Sequence, residues 1–305
     1  MSVRPILLTG SSGLVGASLV RSLREKQIST ILLRRQTGKI KNNEAIWDPY
    51  AAEPVKSPET LEGITAAVHL SGANIAAQRW TSSYKRELRD SRVIPTRSLA
   101  TLLAGLRSKP SVLISASAVG IYGDRGDELL TETSSPGSGF LADLCLDWEK
   151  AAQPAIDAGI RVVHLRFGVA LSAEGGALAR MLPIFRAGVG GRLGSGKQWM
   201  SWIALHDVVR VIEFALQTTS LSGPVNLVAP NPVTNAEFTS VLGRVLQRPT
   251  VIPAPAVALR LALGEMADEA ILASERVAPA RLKAAGFVFE YPELEACLRG
   301  VLPSA

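Results

Sequence analysis

A glycine-rich loop near the start of the chain, with a strand-like segment before it and a helix-like segment after it, strongly limits the possible folds. The loop reads Thr9-Gly10-Ser11-Ser12-Gly13-Leu14-Val15-Gly16. The apolar run from Pro5 to Leu8 predicts a β-strand, and Leu14 to Glu25 predicts a helix with one apolar stripe. A turn of this spacing between a strand and a helix is typical of the first βαβ unit of a dinucleotide-binding domain.

Each glycine of the loop has its own predicted role. Gly10 permits a tight turn, Gly13 lets a pyrophosphate approach the backbone, and Gly16 lets the helix pack closely on the strand. The pyrophosphate would bind to free N–H groups at the positive end of the helix. The alternative is a glycine-rich turn without a ligand, and the flanking strand and helix argue against it. The predicted contacts from this loop are Gly10, Ser11, Ser12, Gly13, Leu14 and Val15.

Two arginines at the end of the second predicted strand indicate which dinucleotide is bound. NAD-binding proteins commonly place an acidic residue there to accept hydrogen bonds from the adenosine ribose. This chain has Arg34 and Arg35 instead. Guanidinium groups bind a 2′-phosphate by charge-assisted hydrogen bonds, whereas a carboxylate would repel it. The predicted cofactor is therefore NADP(H), although one arginine of the pair could simply face solvent.

Short β-like runs alternate with longer helical runs in the first half of the chain, which predicts an α/β protein with a parallel sheet. Further strands are predicted at residues 29–33, 66–70, 112–115, 161–166 and 225–228. Further helices are predicted at residues 84–106, 141–158, 207–217 and 235–246. The predicted fold is a doubly wound Rossmann sheet with a smaller, mostly helical C-terminal lobe that binds the substrate. We assign residues 1–230 to the Rossmann domain, with 176–204 contributing to the lobe, and 231–305 to the C-terminal domain.

Composition excludes several other classes of protein. The 305 residues are 47% hydrophobic and 20% charged, which suits a buried core and not a disordered chain. The net charge of +6 is scattered and the chain has no base-stacking motif, so nucleic acid is not an expected partner. No apolar run is long enough to span a bilayer, and no signal peptide is evident. The cysteines and histidines are far apart in the sequence, so we expect neither a disulfide nor a metal site. We therefore expect a cytoplasmic protein. The oligomeric state stays open, and a homodimer is one possibility.

Motifs along nearly the whole chain resemble those of one protein family. They are the glycine loop, His69-Leu70-Ser71-Gly72-Ala73-Asn74-Ile75, Ser91-Arg92, Ser115-Ala116-Ser117-Ala118-Val119-Gly120-Ile121-Tyr122-Gly123, Leu165-Arg166-Phe167-Gly168-Val169-Ala170-Leu171, Gly194-Ser195-Gly196, Trp202-Ile203, His206-Asp207, Thr234-Asn235-Ala236-Glu237-Phe238, and Gly286-Phe287 through Tyr291-Pro292. With them the chain resembles the extended short-chain dehydrogenases/reductases, and more closely their atypical epimerase-family branch, related to sugar nucleotide epimerases and carrying its own C-terminal domain.

The resemblance implies further contacts to NADP(H) beyond the glycine loop. Those implied on the adenosine side and along the following helix and strands are Leu70, Ser71, Gly72, Glu87, Arg92, Ser115 and Ala116. Those implied near the nicotinamide are Arg166, Gly168, Val169 and Ala170. The second lobe would then cover a cleft at the carboxyl ends of the strands.

The catalytic pair of the wider superfamily is missing from this chain. Members with established chemistry use Tyr-x-x-x-Lys on a helix, in which the lysine lowers the tyrosine pKa so that the phenol exchanges a proton with the substrate. The four tyrosines, Tyr50, Tyr84, Tyr122 and Tyr291, are followed at the fourth place by Pro54, Leu88, Gly126 and Glu295. In the corresponding helix Leu141 and Cys145 occupy the two positions, and neither can perform this chemistry.

Two hypotheses for function remain open. Ser117 and Tyr122 are expected near the nicotinamide as catalytic candidates, although a serine there often only caps backbone and a tyrosine only forms a wall. The residues Trp199, Trp202, Met181 and Arg186 could line a substrate pocket, or the tryptophans could pack between the lobes. These residues favour an NADP(H)-dependent oxidoreductase or epimerase-like enzyme acting on a small anionic or sugar-nucleotide substrate. The missing Tyr-x-x-x-Lys pair favours a non-catalytic NADP(H)-binding regulatory or scaffold protein.

Overall fold

A seven-stranded parallel sheet forms the centre of the computed structural model, which describes residues 5–35 and 43–302. The strands of the described chain are β1 (Ile6–Thr9), β2 (Thr30–Arg34), β3 (Glu44–Ile46), β4 (Ala66–His69), β5 (Val112–Ala118), β6 (Leu129–Leu130), β7 (Arg161–Phe167), β8 (Val169–Leu171), β9 (Trp199–Met200), β10 (Trp202–Ala204), β11 (Gly223–Leu227), β12 (Val233–Thr234) and β13 (Arg276–Val277). The order in the central sheet is β11-β7-β5-β4-β1-β2-β3. The predicted Rossmann architecture is therefore confirmed.

Helices cover both faces of this sheet. They are α1 (Leu14–Glu25), α2 (Ser82–Gly105), α3 (Phe140–Lys150), α4 (Gln153–Asp157), α5 (Gly176–Arg186), α6 (Leu205–Gln217), α7 (Asn235–Leu246), α8 (Ala256–Leu263), α9 (Ala280–Ala284) and α10 (Leu294–Val301). Successive strand residues point to opposite faces. Ile6 and Leu8 accordingly join the apolar core under α1 and α6, whereas Leu7 joins the core under α2 and α4.

The strand order reverses between β1 and β4, which are hydrogen-bonded neighbours at the middle of the sheet. From β1 the chain runs outward through β2 and β3, and from β4 it runs the other way through β5, β7 and β11. The connections after β1 and β4 therefore leave the carboxyl edge in opposite directions and open a crevice between them. Ligands of doubly wound proteins bind at such a switch point.

A smaller lobe packs beyond the carboxyl edge of the sheet. Its apolar core joins α5, α7 and α10 with β10. The buried carboxylate of Asp207, at the start of α6, accepts hydrogen bonds from the backbone N–H groups of Glu290 (3.0 Å) and Tyr291 (2.9 Å). This carboxylate therefore attaches the C-terminal segment to the Rossmann domain.

Most predicted elements are present, with one clear difference. The helix predicted over residues 141–158 is interrupted and forms α3 and α4, with Pro154 in the first turn of α4. Proline has no backbone N–H and its ring clashes with the preceding turn, which favours a break in the helix just before this position. Thr234 caps the start of α7, because its Oγ1 accepts the backbone N–H of Glu237 at 3.2 Å. No helix in the described ranges is both long and apolar enough to cross a membrane.

Candidate dinucleotide and substrate site

The glycine loop has the backbone geometry that its sequence predicts. Gly10 has a φ of +72°, a conformation that side chains rarely adopt, and its carbonyl accepts the N–H of Gly13 at 3.1 Å. A Cβ on Gly16 would lie 2.2 Å from the carbonyl oxygen of Gly10, so α1 packs directly on the loop. The turn at Gly10 is confirmed, whereas the close contact at Gly16 is with the backbone of the loop and not with the strand as predicted.

The start of α1 is open to an anion. Gly13 is the N-cap residue and no side chain caps it, and no acidic residue lies in the first turn. Ser12 and Gly13 are exposed and Ser11 is half-buried. The first backbone N–H groups of a helix have no partner within the helix, and the helix dipole adds positive potential there. These residues therefore fit the pyrophosphate of a dinucleotide.

The segment after β4 forms the opposite wall of the crevice. A Cβ on Gly10 would lie 2.7 Å from the carbonyl carbon of Leu70, so the two connections are in close contact. The guanidinium of Arg92 on α2 donates hydrogen bonds to the carbonyls of Ala73 (2.9 Å) and Leu88 (3.0 Å). Arg92 therefore links the segment after β4 to α2. Glu87, one turn earlier on the same helix, is exposed.

The two arginines lie where the sequence analysis expects them, at the end of β2. Arg34 is the last residue of the strand, Arg35 follows it, and both are exposed. The Nε atom of Arg34 lies 3.1 Å from a carboxylate oxygen of Glu44 on the neighbouring β3. Glu44 therefore orients the Arg34 guanidinium at the adenosine end of the crevice.

A buried polar network lies beneath the other end of the crevice. The Glu149 carboxylate accepts hydrogen bonds from Ser117 Oγ (2.8 Å) and from Nε (2.8 Å) and Nη2 (3.0 Å) of Arg166. The third guanidinium nitrogen, Nη1, donates to the phenol oxygen of Tyr122 at 2.8 Å. The phenol in turn donates to Asn226 Oδ1 at 2.7 Å. These contacts join the ends of β5, β7 and β11 to α3.

The expectation that Ser117 and Tyr122 face the substrate is wrong, because both are inside this network. Tyr122 is 0% exposed and Ser117 is 2% exposed. Burial raises the pKa of the Tyr122 phenol, and this effect exceeds the opposite effect of the Arg166 charge. Burial alone would lower the pKa of Arg166, but its hydrogen bonds with Glu149 and the charge of that carboxylate raise it. Arg166, predicted as a cofactor contact, therefore uses its side chain within the network.

The two positions of the missing catalytic pair are apolar or inert. Leu141 lies at the start of α3 against the backbone of Gly120, where a Cβ would be 3.2 Å from Leu141 Cβ. Cys145, one turn later, is 2% exposed. Burial, followed by the charge of Glu149, raises the pKa of its thiol to about 12, so the thiolate nucleophile does not form at neutral pH. Neither residue supplies an acid or a base.

A cavity of about 320 Å³ lies between the Rossmann domain and the C-terminal lobe. Its lining residues are Gly120, Gly123, Asp124, Ser138, Gly139, Leu141, Arg260, Asp268, Glu269, Leu272 and Ala273. The Glu269 carboxylate accepts the N–H groups of Phe140 (2.9 Å) and Leu141 (2.7 Å) and so occupies the start of α3. Arg260 pairs with Asp268 at 2.8 Å. The lining therefore carries three carboxylates and one guanidinium that is already paired.

None of the four residues predicted to bind substrate lines this cavity. Trp202 is 0% exposed because it lies in the core of the C-terminal lobe, so that expectation is wrong. Met181 packs against the same core and Arg186 is exposed at the end of α5. Trp199 donates its Nε1 proton to Asp127 at 2.7 Å, and the guanidinium of Arg276 covers its ring.

Sequence reasoning missed several charged residues of this region. Asp124, Arg260, Asp268 and Glu269 line the cavity, and Glu149 organises the buried network. The Arg166 motif carried a family signal, but its partner lies 17 residues away and no local pattern indicates the pairing. The acidic residues of the C-terminal lobe follow an exposed helix and have no signal of their own in the sequence.

Comparison with known proteins places these features in a family. The family model described as the NAD dependent epimerase/dehydratase family matches residues 6–227, and a domain of unknown function, DUF1731, matches residues 254–301. An epimerase family protein of Mycobacterium bovis is 46% identical over 286 residues, which cover 94% of this chain and 93% of that protein. The crystal structure of human epimerase family protein SDR39U1 (isoform 2) with NADPH aligns with a TM-score of 0.89 and 32% identity, covering 97% of this chain and 98% of that one.

Proposed function

The chain belongs to the NAD-dependent epimerase/dehydratase family, and from this premise we propose that it is an NADP(H)-dependent oxidoreductase acting on a small polar substrate. One observation carries the proposal. The uncapped start of α1 at Gly13 follows β1, and Arg34 and Arg35 follow the neighbouring strand β2, so both features lie at the same carboxyl edge of the sheet. The human relative, at 32% identity, was crystallised with NADPH. Its cofactor supports the same choice for this chain.

Different residues along the crevice would bind different parts of the cofactor. The N–H groups of the first turn of α1 would bind the pyrophosphate, and Arg34 and Arg35 would bind the 2′-phosphate. When bound, NADPH supplies a hydride to a carbonyl carbon. The Gly168 to Ala170 turn would position the nicotinamide, and the 320 Å³ cavity would hold the substrate beside it.

The double variant Arg34→Ala with Arg35→Ala is expected to lose the preference for NADPH. Each guanidinium offers the 2′-phosphate charge-assisted hydrogen bonds worth about 1.5–3 kcal/mol. We expect NADPH affinity to fall by a factor of about 100 while NADH affinity changes little. Nicotinamide fluorescence titrations with both cofactors measure this. A Lys26→Ala variant is a matched control on the same domain, where the lost cation pairs with Glu213 and should not affect either affinity.

Equal NADPH and NADH affinities in the unmodified protein would refute the choice of cofactor. A second comparison tests the arrangement itself: Glu44→Gln should weaken NADPH binding less than Arg34→Ala, because it leaves both guanidinium groups in place. A larger loss from Glu44→Gln would contradict a direct role of Arg34.

The charges around the cavity narrow the substrate class. Three carboxylates, Asp124, Asp268 and Glu269, surround one guanidinium, that of Arg260. The best anion position, at the start of α3, already holds Glu269. The sequence analysis allowed an anionic or sugar-nucleotide substrate, but this lining would repel a diphosphate, so we propose an uncharged polar carbonyl compound or alcohol.

A screen of NADPH oxidation with uncharged aldehydes and ketones, 2-oxo acids and nucleotide sugars tests this substrate class. We expect turnover with uncharged compounds, and at least about tenfold lower kcat/KM for their anionic analogues, because the cavity is net negative. Faster turnover of nucleotide sugars would contradict the assignment.

A non-catalytic NADP(H)-binding protein is the second candidate, and one observation favours it. The hydroxyl groups of Ser117 and Tyr122 are both engaged in the buried network, and Leu141 and Cys145 occupy the positions of the missing pair. Tight NADPH binding without turnover of any compound class in the screen would support this candidate and reject the oxidoreductase.

A further inference from the structure

Glu275 lies on the segment that joins the cavity wall to β13. Its backbone N–H donates to the carbonyl of Trp199 at 3.1 Å, and its own carbonyl accepts the hydroxyl of Ser201 at 2.6 Å. The Ser201 hydroxyl also accepts the N–H of Val277 at 2.9 Å. Both the backbone N–H and the backbone carbonyl of Glu275 are therefore hydrogen-bonded to the β9–β10 segment. Glu275 follows the cavity residue Ala273 by two positions.

This position is next to the turn expected to contact the nicotinamide. The carbonyl of Ser201 accepts the N–H of Val169 at 2.8 Å, and a Cβ on Gly168 would lie 2.5 Å from the same oxygen. Ser201 therefore contacts the 168–169 turn with its carbonyl and Glu275 with its hydroxyl. Glu275 lies at the carboxyl edge of β7, where the proposed hydride transfer would take place.

The carboxyl group of Glu275 makes no hydrogen bond or ion pair within residues 5–35 and 43–302, and its side chain is partly buried. The acidic groups that face it come from two other elements. Asp124 lies in the loop after Tyr122 and lines the cavity, and the thiol of Cys145 lies on α3. The neighbouring cation, Arg276, forms no ion pair with this carboxyl, and its guanidinium lies 4.5 Å from the centre of the Trp199 ring.

The environments of the two carboxyl groups differ. Asp124 Oδ1 accepts the backbone N–H groups of Gly126 and Ser274, both at 3.2 Å, whereas the Glu275 carboxyl accepts no hydrogen bond from the described residues. Burial, followed by the charge of Asp124, raises the pKa of Glu275 to about 8. This shift favours the protonated form of Glu275 at neutral pH.

We propose that Glu275 is the catalytic acid–base residue of this site and exchanges a proton with the substrate oxygen in place of the absent tyrosine. The proposal rests on the proposed NADP(H)-dependent activity. During reduction the carbonyl carbon accepts the hydride that NADPH supplies, and the π electron pair moves to the carbonyl oxygen. That oxygen takes the proton of the Glu275 carboxyl, which becomes a carboxylate and is reprotonated from water. Oxidation of an alcohol reverses each transfer.

The ratio of NADP⁺ to NADPH affinity, measured as a function of pH, tests the position of Glu275 without a known substrate. The oxidised nicotinamide ring is positively charged and the reduced ring is neutral. Ionisation of a carboxyl beside the ring should therefore tighten NADP⁺ binding by a factor of about 3–10 as the pH rises through about 8, and leave NADPH binding unchanged. The 2′-phosphate is common to both cofactors, so its own titration cancels in the ratio.

Glu275→Gln should remove this pH dependence while retaining NADPH binding. Glu275→Asp, which keeps a carboxyl, should retain a pH dependence. Glu265→Gln is the matched control, because that carboxylate pairs with Lys85 at 2.8 Å on the surface and its loss should leave the ratio unaffected. With a carbonyl substrate from the screen, Glu275→Gln should lower kcat by a factor of about 10²–10⁴ and alter KM much less.

A ratio independent of pH in the unmodified protein, or the same pH dependence in Glu275→Gln, would overturn the proposal. The unmodified protein decides the first of these outcomes even if Glu275→Gln fails to fold. Failure of the proposed function has a different signature: either neither cofactor binds at any pH, or NADPH binds and no compound class in the screen is turned over.

Discussion

Glu149→Ala is expected to lower the free energy of unfolding by about 3–5 kcal/mol, because it leaves the buried guanidinium of Arg166 without its counterion. The side chains of Arg166 and Glu149 are 8% and 14% exposed, so water replaces little of the lost interaction. The substitution also removes the acceptor of the Ser117 hydroxyl. Urea unfolding followed by circular dichroism measures the change.

Two comparisons show whether the buried charge is responsible. Glu149→Gln keeps the shape of the side chain and one acceptor oxygen, so it should lower the free energy of unfolding less than the alanine variant. Glu265→Ala removes a carboxylate of an exposed pair with Lys85 and should cost at most about 1 kcal/mol. Equal free energies of unfolding for Glu149→Ala and Glu265→Ala would show that the buried network does not stabilise the fold.

Gly16→Ala is expected to weaken NADPH binding by a factor of at least about 100, which corresponds to about 2.7 kcal/mol. The new Cβ would lie 2.2 Å from the carbonyl oxygen of Gly10 and 2.8 Å from its carbonyl carbon. These are backbone atoms, so the whole loop has to move away from the start of α1. The displaced N–H groups then no longer converge on the pyrophosphate. Fluorescence titration with NADPH measures the affinity.

A control glycine separates this effect from a general effect of the added methyl group. Gly105 is the last residue of α2 and a Cβ there meets nothing within 4 Å. Gly105→Ala should therefore leave NADPH binding unchanged and should not destabilise the protein, since alanine is favoured over glycine in helices. Unchanged NADPH affinity in Gly16→Ala would contradict the proposed binding site.

The buried network gives a physical reason why the family motifs at Ser117 and Tyr122 do not by themselves indicate catalysis here. A catalytic tyrosine of this superfamily needs a lowered pKa and contact with the substrate. Tyr122 has a raised pKa and bonds to Arg166 and Asn226 inside the protein. These side chains join three strands to α3 below the crevice, which is a positioning role. Acid–base chemistry would then come from a residue outside this network, which is the role proposed for Glu275.

Much of the Rossmann half was readable from the sequence because its signals are local. Apolar periodicity predicted α1 with its observed bounds, from Leu14 to Glu25. The turn at Gly10 depends on the backbone freedom of one residue. Arg34 and Arg35 follow directly from the end of β2, so their position at the crevice needed no knowledge of distant parts of the chain.

Only the tertiary structure decided which side chains face the cavity. Whether Tyr122 or Trp202 is buried depends on residues such as Asn226 and Asn231, which lie 104 and 29 positions away in the chain. Glu269 reaches the start of α3 across 128 residues. No local pattern encodes such pairings, because they arise from the packing of one lobe on another. The sequence by itself therefore determined the fold class and the predicted cofactor crevice, and the packing decided the acidic lining of the cavity.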